Sequence, residues 1–260
     1  MRRLLARSIT LAVRALDAMS NVCLAAAAGL TPLHEIREGV RQTFNDPVDD
    51  DDVGWMPWET AVADQFVATG ERILLIGCGA GRDLIPFVER GCRVIGVDPA
   101  DRAVDAAMTA LERRGLTATV RRGFFEDIPF DDEFDVVWFS PFSYSYIPGS
   151  RRRVSALQRV VAKLACRGRV VVTYSSGHAP RNRALAIGRI VGRLSGSDWS
   201  LEAGDVIWRK AGTRFLGYEH RFARDTLVDE LSMAGLETVF TDTRLDVGIV
   251  VLRRRTEPSA

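Results

Sequence analysis

The chain has 260 residues, of which 47% are hydrophobic, and its formal net charge is +1. This length suits one α/β domain with a small addition and a substantial core. The near-neutral charge excludes a global electrostatic field that would recruit nucleic acid. The four cysteines show neither metal-ligand spacing nor a disulfide framework, which favours a reducing, cytoplasmic compartment. They are Cys23, Cys78, Cys92 and Cys166.

Residues 1–30 predict one amphipathic helix. Apolar residues recur at three- and four-residue intervals from Leu5 to Cys23, with arginines between them. Arg14 and Asp17 interrupt the apolar run, so we expect neither a transmembrane span nor a secretory signal. Two interpretations stay open for this helix: it packs on the domain, or it makes peripheral contact with a membrane.

A short helix near His34–Phe44 and an acidic linker follow. The linker contains four adjacent aspartates, Asp49–Asp52, but Thr60 stands where a calcium loop that begins at Asp49 needs a glutamate. A solvated linker is therefore the better interpretation. We predict an N-terminal helical extension with its acidic linker over residues 1–54, and the main domain over residues 55–260.

The stretch 72–83 organises the main domain. It predicts a short buried strand, then three alternate glycines, then a helix. The glycines allow a tight turn whose backbone N–H groups face a ligand. A second apolar strand ends in Asp98, about 20 residues past the loop, which is the ribose-binding position of nucleotide-binding α/β folds.

The glycine loop itself distinguishes between nucleotide classes. A dinucleotide fingerprint requires a glycine at the position that Arg82 occupies, which disfavours an NAD-dependent oxidoreductase. The loop Gly77-Cys78-Gly79-Ala80-Gly81, with Asp98 after the second strand, resembles that of the class I S-adenosylmethionine-dependent methyltransferases. The resemblance spans about residues 70–175. It implies an α/β fold with a doubly wound, Rossmann-like, seven-stranded sheet, and S-adenosyl-L-methionine as the cofactor.

Downstream segments extend the resemblance. Gly123–Phe130 is similar to the family's adenine-binding loop, and Phe134–Phe139 to its fourth strand. Two positions depart from the family: Leu75 replaces an acidic residue near the end of the first strand, and Phe124 replaces an aspartate of the adenine loop. The Phe124 ring can stack on adenine instead. The predicted cofactor-binding residues are Gly77, Cys78, Gly79, Gly81, Asp98, Pro99, Phe124, Phe125, Glu126 and Ser140.

Two further segments have an expected place in such a fold. The segment before the first strand often covers the cofactor in this family, so Trp55 and Trp58 are either pocket residues or aromatic anchors of a helix start. Residues 175–222 are predicted to form a lid-like insertion with a basic amphipathic helix, for which a solvated helix face is the alternative. The last two strands are expected to form a hairpin that bears the sheet's one antiparallel strand.

Candidate catalytic residues follow the fourth and fifth strands, because ligands bind beyond the carboxyl ends of the strands. They are His178, Tyr144 and Tyr146. His178 is the sole obvious base at neutral pH, with a free pKa near about 6.5, unless it merely lies on a solvated loop. The tyrosines are expected to shape the pocket or to donate hydrogen bonds.

The acceptor is predicted by exclusion. Ser140-Pro141-Phe142-Ser143 lacks the amide and the second proline of amino-methylating DNA enzymes, and no Pro-Cys dipeptide supplies a cytosine nucleophile. The three histidines are too scattered for a metal site. We predict a methyltransferase that acts on a small-molecule, amphiphilic acceptor, without nucleic acid or metal. The alternative is an S-adenosylmethionine-binding protein that has lost catalysis, motivated by Leu75 and Phe124.

Overall fold

The computed structural model describes residues 2–45, 54–177, 183–210, 212–244 and 246–255. The helices are α1 Arg2–Leu30, α2 Leu33–Thr43, α3 Pro57–Phe66, α4 Leu84–Glu89, α5 Asp101–Arg114, α6 Ser150–Ala162, α7 Arg183–Ser195 and α8 Arg224–Met233. The strands are β1 Arg72–Ile76, β2 Arg93–Asp98, β3 Thr119–Arg122, β4 Phe134–Phe139, β5 Leu164–Ser175, β6 Asp205–Arg209, β7 Leu216–His220, β8 Leu236–Arg244 and β9 Val247–Arg254.

Seven strands form the central sheet, in the order β3-β2-β1-β4-β5-β9-β8. The strands β1 to β5 pair in parallel, whereas β9 runs antiparallel to both of its neighbours. The chain order reverses between β1 and β4, so the crevice beyond their carboxyl ends is the place where such sheets bind ligands. The predicted doubly wound, seven-stranded α/β fold is confirmed.

The first strand is short and apolar because both of its faces are covered. Ile73 and Leu75 pack with Trp138 and the residues of α4 on one face of the sheet. Leu74 and Ile76 pack on the opposite face, against the core beneath α6 and α8. The strand therefore loses the polar alternation of a half-exposed strand and fixes the glycine loop that follows it.

The helix α1 docks on the domain through its C-terminal part only. There it packs against α7 at close range: a Cβ added to Gly29 would lie 2.2 Å from the Gly188 carbonyl oxygen. Ala25 and Ala28 are buried in the same contact. Residues 6–20 are exposed, and the segment Ala6–Leu30, with a mean hydropathy of 1.4, is long and apolar enough to cross a membrane.

A small second sheet holds α2 in place. The strands β6 and β7 pair in antiparallel fashion. Ile36 and Val40 of α2 form a buried cluster with Tyr218 of β7. The helix α2 is thereby fixed over the carboxyl edge of the main sheet.

Candidate functional site

A cavity of about 430 Å³ lies beyond the carboxyl ends of β1, β2 and β4. Its wall combines the glycine loop, the turns after β2, β3 and β4, and one side of α2. Among the predicted cofactor-binding residues, Gly77, Cys78, Gly79, Asp98, Pro99, Phe124, Phe125, Glu126 and Ser140 line it. Gly81 lies behind the loop, where its Cα faces Ala107 of α5.

The glycine loop leaves room for a ligand against its backbone. Gly77, Gly79 and Gly81 have φ angles of 78°, 52° and 109°, which favour glycine. A Cβ at Gly77 would lie 2.7 Å from the Ser143 Cβ, whereas a Cβ at Gly79 would meet nothing within 4 Å. The cavity therefore reaches the Gly79 backbone directly. Burial raises the pKa of the neighbouring Cys78 thiol, and the Asp98 charge adds to the effect.

Asp98 is built into the loop as an acceptor. One carboxylate oxygen accepts a hydrogen bond from the Gly79 N–H at 2.9 Å and the other from the Ala100 N–H at 2.8 Å. Burial raises the pKa of this carboxyl, and the two backbone hydrogen bonds oppose the shift. Each oxygen keeps acceptor capacity, because a carboxylate offers about four lone-pair sites. A ribose with two hydroxyl groups fits this position.

The opposite end of the cavity is formed by the loop after β3. The Arg37 guanidinium lies over the Phe124 ring, 4.0 Å from its centroid, and covers one face of the ring. Adenine can therefore stack on Phe124 only at its other face. The Glu126 carboxylate is held by two arginines, Arg152 at 3.2 Å and Arg37 at 3.8 Å.

The helix α2 supplies a wall that the sequence did not reveal. Arg37, Val40, Thr43 and Phe44 line the cavity from this helix and its end. Phe44 meets Tyr146 edge to face, with the ring centroids 4.8 Å apart. The N-terminal segment thus completes the site, and the apolar stripe of α2 shows only that this helix is packed, not which surface it meets.

The tryptophans before β1 lie in the core. Trp55 contacts Phe87 edge to face and stacks on Trp138, with centroid distances of 4.6 and 6.2 Å. Trp58 packs partly buried against the same cluster. Neither lines the cavity, so the two tryptophans are aromatic anchors at the start of α3 and not pocket residues.

A buried charge cluster adjoins the glycine loop, and the sequence reasoning missed it. Glu59 is fully buried and receives two hydrogen bonds from Arg82, both of 2.7 Å. The same guanidinium forms an ion pair of 2.6 Å with Asp83, whose exposed fraction is 1%. Burial raises the pKa of Asp83 to about 7, although the Arg82 charge lowers it, and Glu59 raises it further. Asp83 lines the cavity.

The predicted catalytic residues do not come together in the part of the chain that the structure describes. Tyr146 lines the cavity, and burial raises its pKa to about 12, so its hydroxyl is a donor at neutral pH. Tyr144 lies outside the lining, in the core, where it donates a hydrogen bond of 2.8 Å to Glu230. His178 lies outside the described residues. The catalytic roles of all three stay predictions, and the placement of Tyr144 does not favour its role.

Among the described residues, Glu202, Asp205 and His220 form a group of potential metal ligands away from the cavity. Asp205 already accepts a hydrogen bond from Tyr218 at 2.9 Å and pairs with the His220 ring at 2.7 Å. Glu202 accepts from Ser150 and from the buried Arg153. These contacts describe a structural network that ties β6 and β7 to α6 and α8.

Comparisons with known proteins agree with this geometry. A methyltransferase domain family matches residues 73–167. A ubiquinone biosynthesis O-methyltransferase of Nitrobacter winogradskyi is 40% identical over 68 residues, which are 26% of this chain and 26% of that protein. Another, from Cereibacter sphaeroides, is 28% identical over 65% of this chain and 62% of its own length. The chain therefore spans about a quarter of the first relative's length and less than two thirds of the second's.

A solved structure extends the agreement to the whole fold. The SAM-dependent methyltransferase of Methanosarcina mazei superimposes with a TM-score of 0.60 at 20% identity, over 78% of this chain and 100% of that one. The domain match and the similar fold thus agree with the geometry of the site, in which a glycine loop adjoins an acidic acceptor at the end of the second strand. These findings support a class I S-adenosylmethionine-dependent methyltransferase, with S-adenosyl-L-methionine as the cofactor.

Proposed function

We propose that this protein transfers a methyl group from S-adenosylmethionine to a small, amphiphilic acceptor. The observation that carries the proposal is the cavity itself, in which an open glycine backbone and the Asp98 acceptor share one wall. Gly79 and Asp98 would hold the ribose side of the cofactor, and the turn at Phe124 and Phe125 would hold its adenine. When bound, S-adenosylmethionine supplies a methyl group activated on a sulfonium.

The chain's own residues contribute positioning and exclusion of water. Methyl transfer is a displacement on an activated carbon, so orientation and desolvation can provide most of the rate. Tyr146 is the polar group best placed to orient an acceptor, because its raised pKa keeps the hydroxyl protonated. Ser140 offers a second, buried hydroxyl at the end of β4, at the wall of the cavity.

The acceptor class follows from the remaining wall. Apolar groups of Val40, Phe44, Ile147 and Pro148 face the cavity beside Tyr146. Such a wall suits an acceptor with an apolar body and one nucleophilic atom. The matched relatives are named for O-methylation in ubiquinone biosynthesis, which supports an oxygen acceptor on an apolar molecule.

The test has two stages. Calorimetry should show that the protein binds S-adenosylmethionine, and Asp98→Ala should weaken that binding, whereas Asp64→Asn on the surface of α3 should leave it unchanged. Transfer of labelled methyl groups to fractions of a cell extract then identifies the acceptor. Binding without transfer to any fraction would support the alternative of a protein that has lost catalysis. Absence of binding would refute the proposal.

We further propose a cytoplasmic location at the surface of a membrane, with α1 and α7 as the contact. Large apolar side chains of both helices are exposed, including Leu16 at 60% and Leu194 at 84%. The two helices carry seven arginines, and Asp17 is their one acidic residue. An apolar surface flanked by cations suits a layer of anionic lipid.

Vesicle flotation tests this contact. The protein should bind vesicles of anionic phosphatidylglycerol and not those of phosphatidylcholine, and high salt should release it. Replacing Leu16 and Met19 by serine should abolish binding, whereas the same change at Val228 and Met233, equally exposed on α8, should not. Binding that survives carbonate extraction would instead show that α1 spans the bilayer.

A further inference from the structure

In the part of the chain that the structure describes, the charge cluster beside the glycine loop contains two carboxylates and one arginine. Glu59 has a full set of donors: two N–H groups of Arg82 and the Met56 N–H at 2.8 Å. Asp83 shares the same guanidinium through an ion pair of 2.6 Å, and its other polar neighbour is the Ser140 hydroxyl, whose hydrogen bond lowers the pKa of Asp83. Two buried carboxylates thus share one arginine, and a buried charge without compensation is costly.

The Asp83 carboxylate lies at the wall of the cavity. Asp83 lines the wall, and its side chain makes no capping bond to α4, although it occupies the residue before that helix. The Ser140 hydroxyl lies at the same wall beside Asp83, close enough to lower the pKa of that carboxyl by a hydrogen bond. An acceptor and a hydroxyl are therefore both available to a ligand at this point.

The other carboxylates of the wall already have their partners. Asp98 accepts from two backbone N–H groups, and Glu126 is held by two arginines. The position at which the family carries an acidic residue is Leu75, which is buried in the apolar core and does not line the cavity. Among the described residues of the wall, Asp83 is the carboxylate that shares its arginine with a second, fully buried carboxylate.

The place of Asp83 matches one end of the cofactor. Asp98 and Ser140 follow β2 and β4, which flank β1 on either side. Two strand spacings separate the ends of β2 and β4 by about 10 Å, so an amino acid attached to a ribose at Asp98 can extend along the cavity towards Ser140 and Asp83. We infer that Asp83, with Ser140 beside it, binds the α-ammonium group of the cofactor's amino-acid end and replaces the acidic residue missing at position 75.

This inference rests on the proposed function and gives it a chemical detail. The ammonium group balances the cluster, so that two carboxylates face two cations. It also holds Asp83 in its ionised form. Because the pKa of Asp83 is raised to about 7 in the free protein, binding below that pH releases a proton.

The test compares two ligands that differ at this end. S-adenosylhomocysteine carries the ammonium group, and 5′-methylthioadenosine lacks the amino acid. Asp83→Asn should weaken the binding of S-adenosylhomocysteine by about 10- to 100-fold, the range for a hydrogen bond to a charged group, and should change the affinity for methylthioadenosine less than about 3-fold. Asp98→Ala should weaken both ligands, and Asp64→Asn neither.

A second measurement needs no variant. Calorimetry at pH 6.5 in buffers of different ionisation enthalpy should show release of about half a proton or more per S-adenosylhomocysteine bound, and none for methylthioadenosine. The inference would be overturned if Asp83→Asn weakened the binding of both ligands equally or of neither. It would also be overturned if no proton were released. If neither ligand binds the wild-type protein, the proposed function itself fails.

Discussion

The raised pKa of Asp83 predicts an unusual pH dependence of stability in the ligand-free protein. The carboxyl has an ordinary pKa of 3.8, and burial raises it to about 7 in the folded state. The folded protein therefore holds this proton at pH values where the unfolded chain has lost it. The free energy of unfolding is therefore highest while Asp83 is protonated, and it falls as the pH rises from about 4 to 7.

The magnitude follows from the two pKa values. Between pH 5 and pH 8, the change of proton occupancy lowers the free energy of unfolding by about 2–3 kcal/mol, at about 1.4 kcal/mol per unit of pKa difference. Asp98, whose pKa burial also raises, contributes in the same direction. The contribution of Asp83 is therefore read from the difference between the wild-type protein and Asp83→Asn.

Urea unfolding at pH 5, 6.5 and 8 measures this difference. The variant should lose less stability than the wild type over the range, by about 2–3 kcal/mol, at an unchanged m-value. Only the slope is compared, since the variant also loses the ion pair with Arg82. Parallel pH profiles of the two proteins would refute the reasoning, because they would show that Asp83 is ionised at pH 5 in the folded state.

The remaining predictions concern binding, catalysis and docking. Asp98→Ala should weaken binding of S-adenosylmethionine by about 1.5–3 kcal/mol, which is the range for hydrogen bonds to a charged group and which calorimetry can measure. Tyr144→Phe should lower the free energy of unfolding by about 1–3 kcal/mol through its buried hydrogen bond, and kcat should stay within about 3-fold; a larger loss of kcat would place this residue in catalysis. His178→Ala should lower kcat by about 100-fold if the imidazole is a general base, and a loss below about 3-fold from pH 6 to 9 would leave proximity as the mechanism. Gly188→Leu should detach α1, because even a Cβ there would lie 2.4 Å from a carbonyl oxygen of α1, and proteolysis should then cut residues 21–30 faster.

The parts of the site that are local in sequence could be predicted. The glycine loop and Asp98 lie within one β1–α4–β2 unit, where strand, turn and spacing are set by neighbouring residues. The wall from α2 could not, because it depends on packing against Tyr218, far along the chain. No pattern in residues 33–43 shows which surface the apolar stripe will meet.

The cluster around Asp83 was missed for a different reason. An acidic residue at the start of a helix is ordinarily a cap, and the sequence offers no sign that this one does not cap. What removes Asp83 from that role is the ion pair with Arg82, whose guanidinium is directed by Glu59 of α3. The charge balance of the three residues is visible only when α3 and the glycine loop are placed together.

The position of the carboxylate has a consequence for the whole site. An acidic residue at position 75 would have to be buried between β1 and α4, in the core that contains Leu84 and Phe87. Placing the carboxylate at Asp83 leaves that core apolar and moves the charge to the cavity wall, where Arg82 and Glu59 already form an ion pair. The amino-acid end of the ligand is then recognised by a group anchored on α3. Two of the three helices that precede the sheet therefore act on the two ends of one cavity, α2 through Arg37 at the Phe124 end and α3 through Glu59 at the Asp83 end.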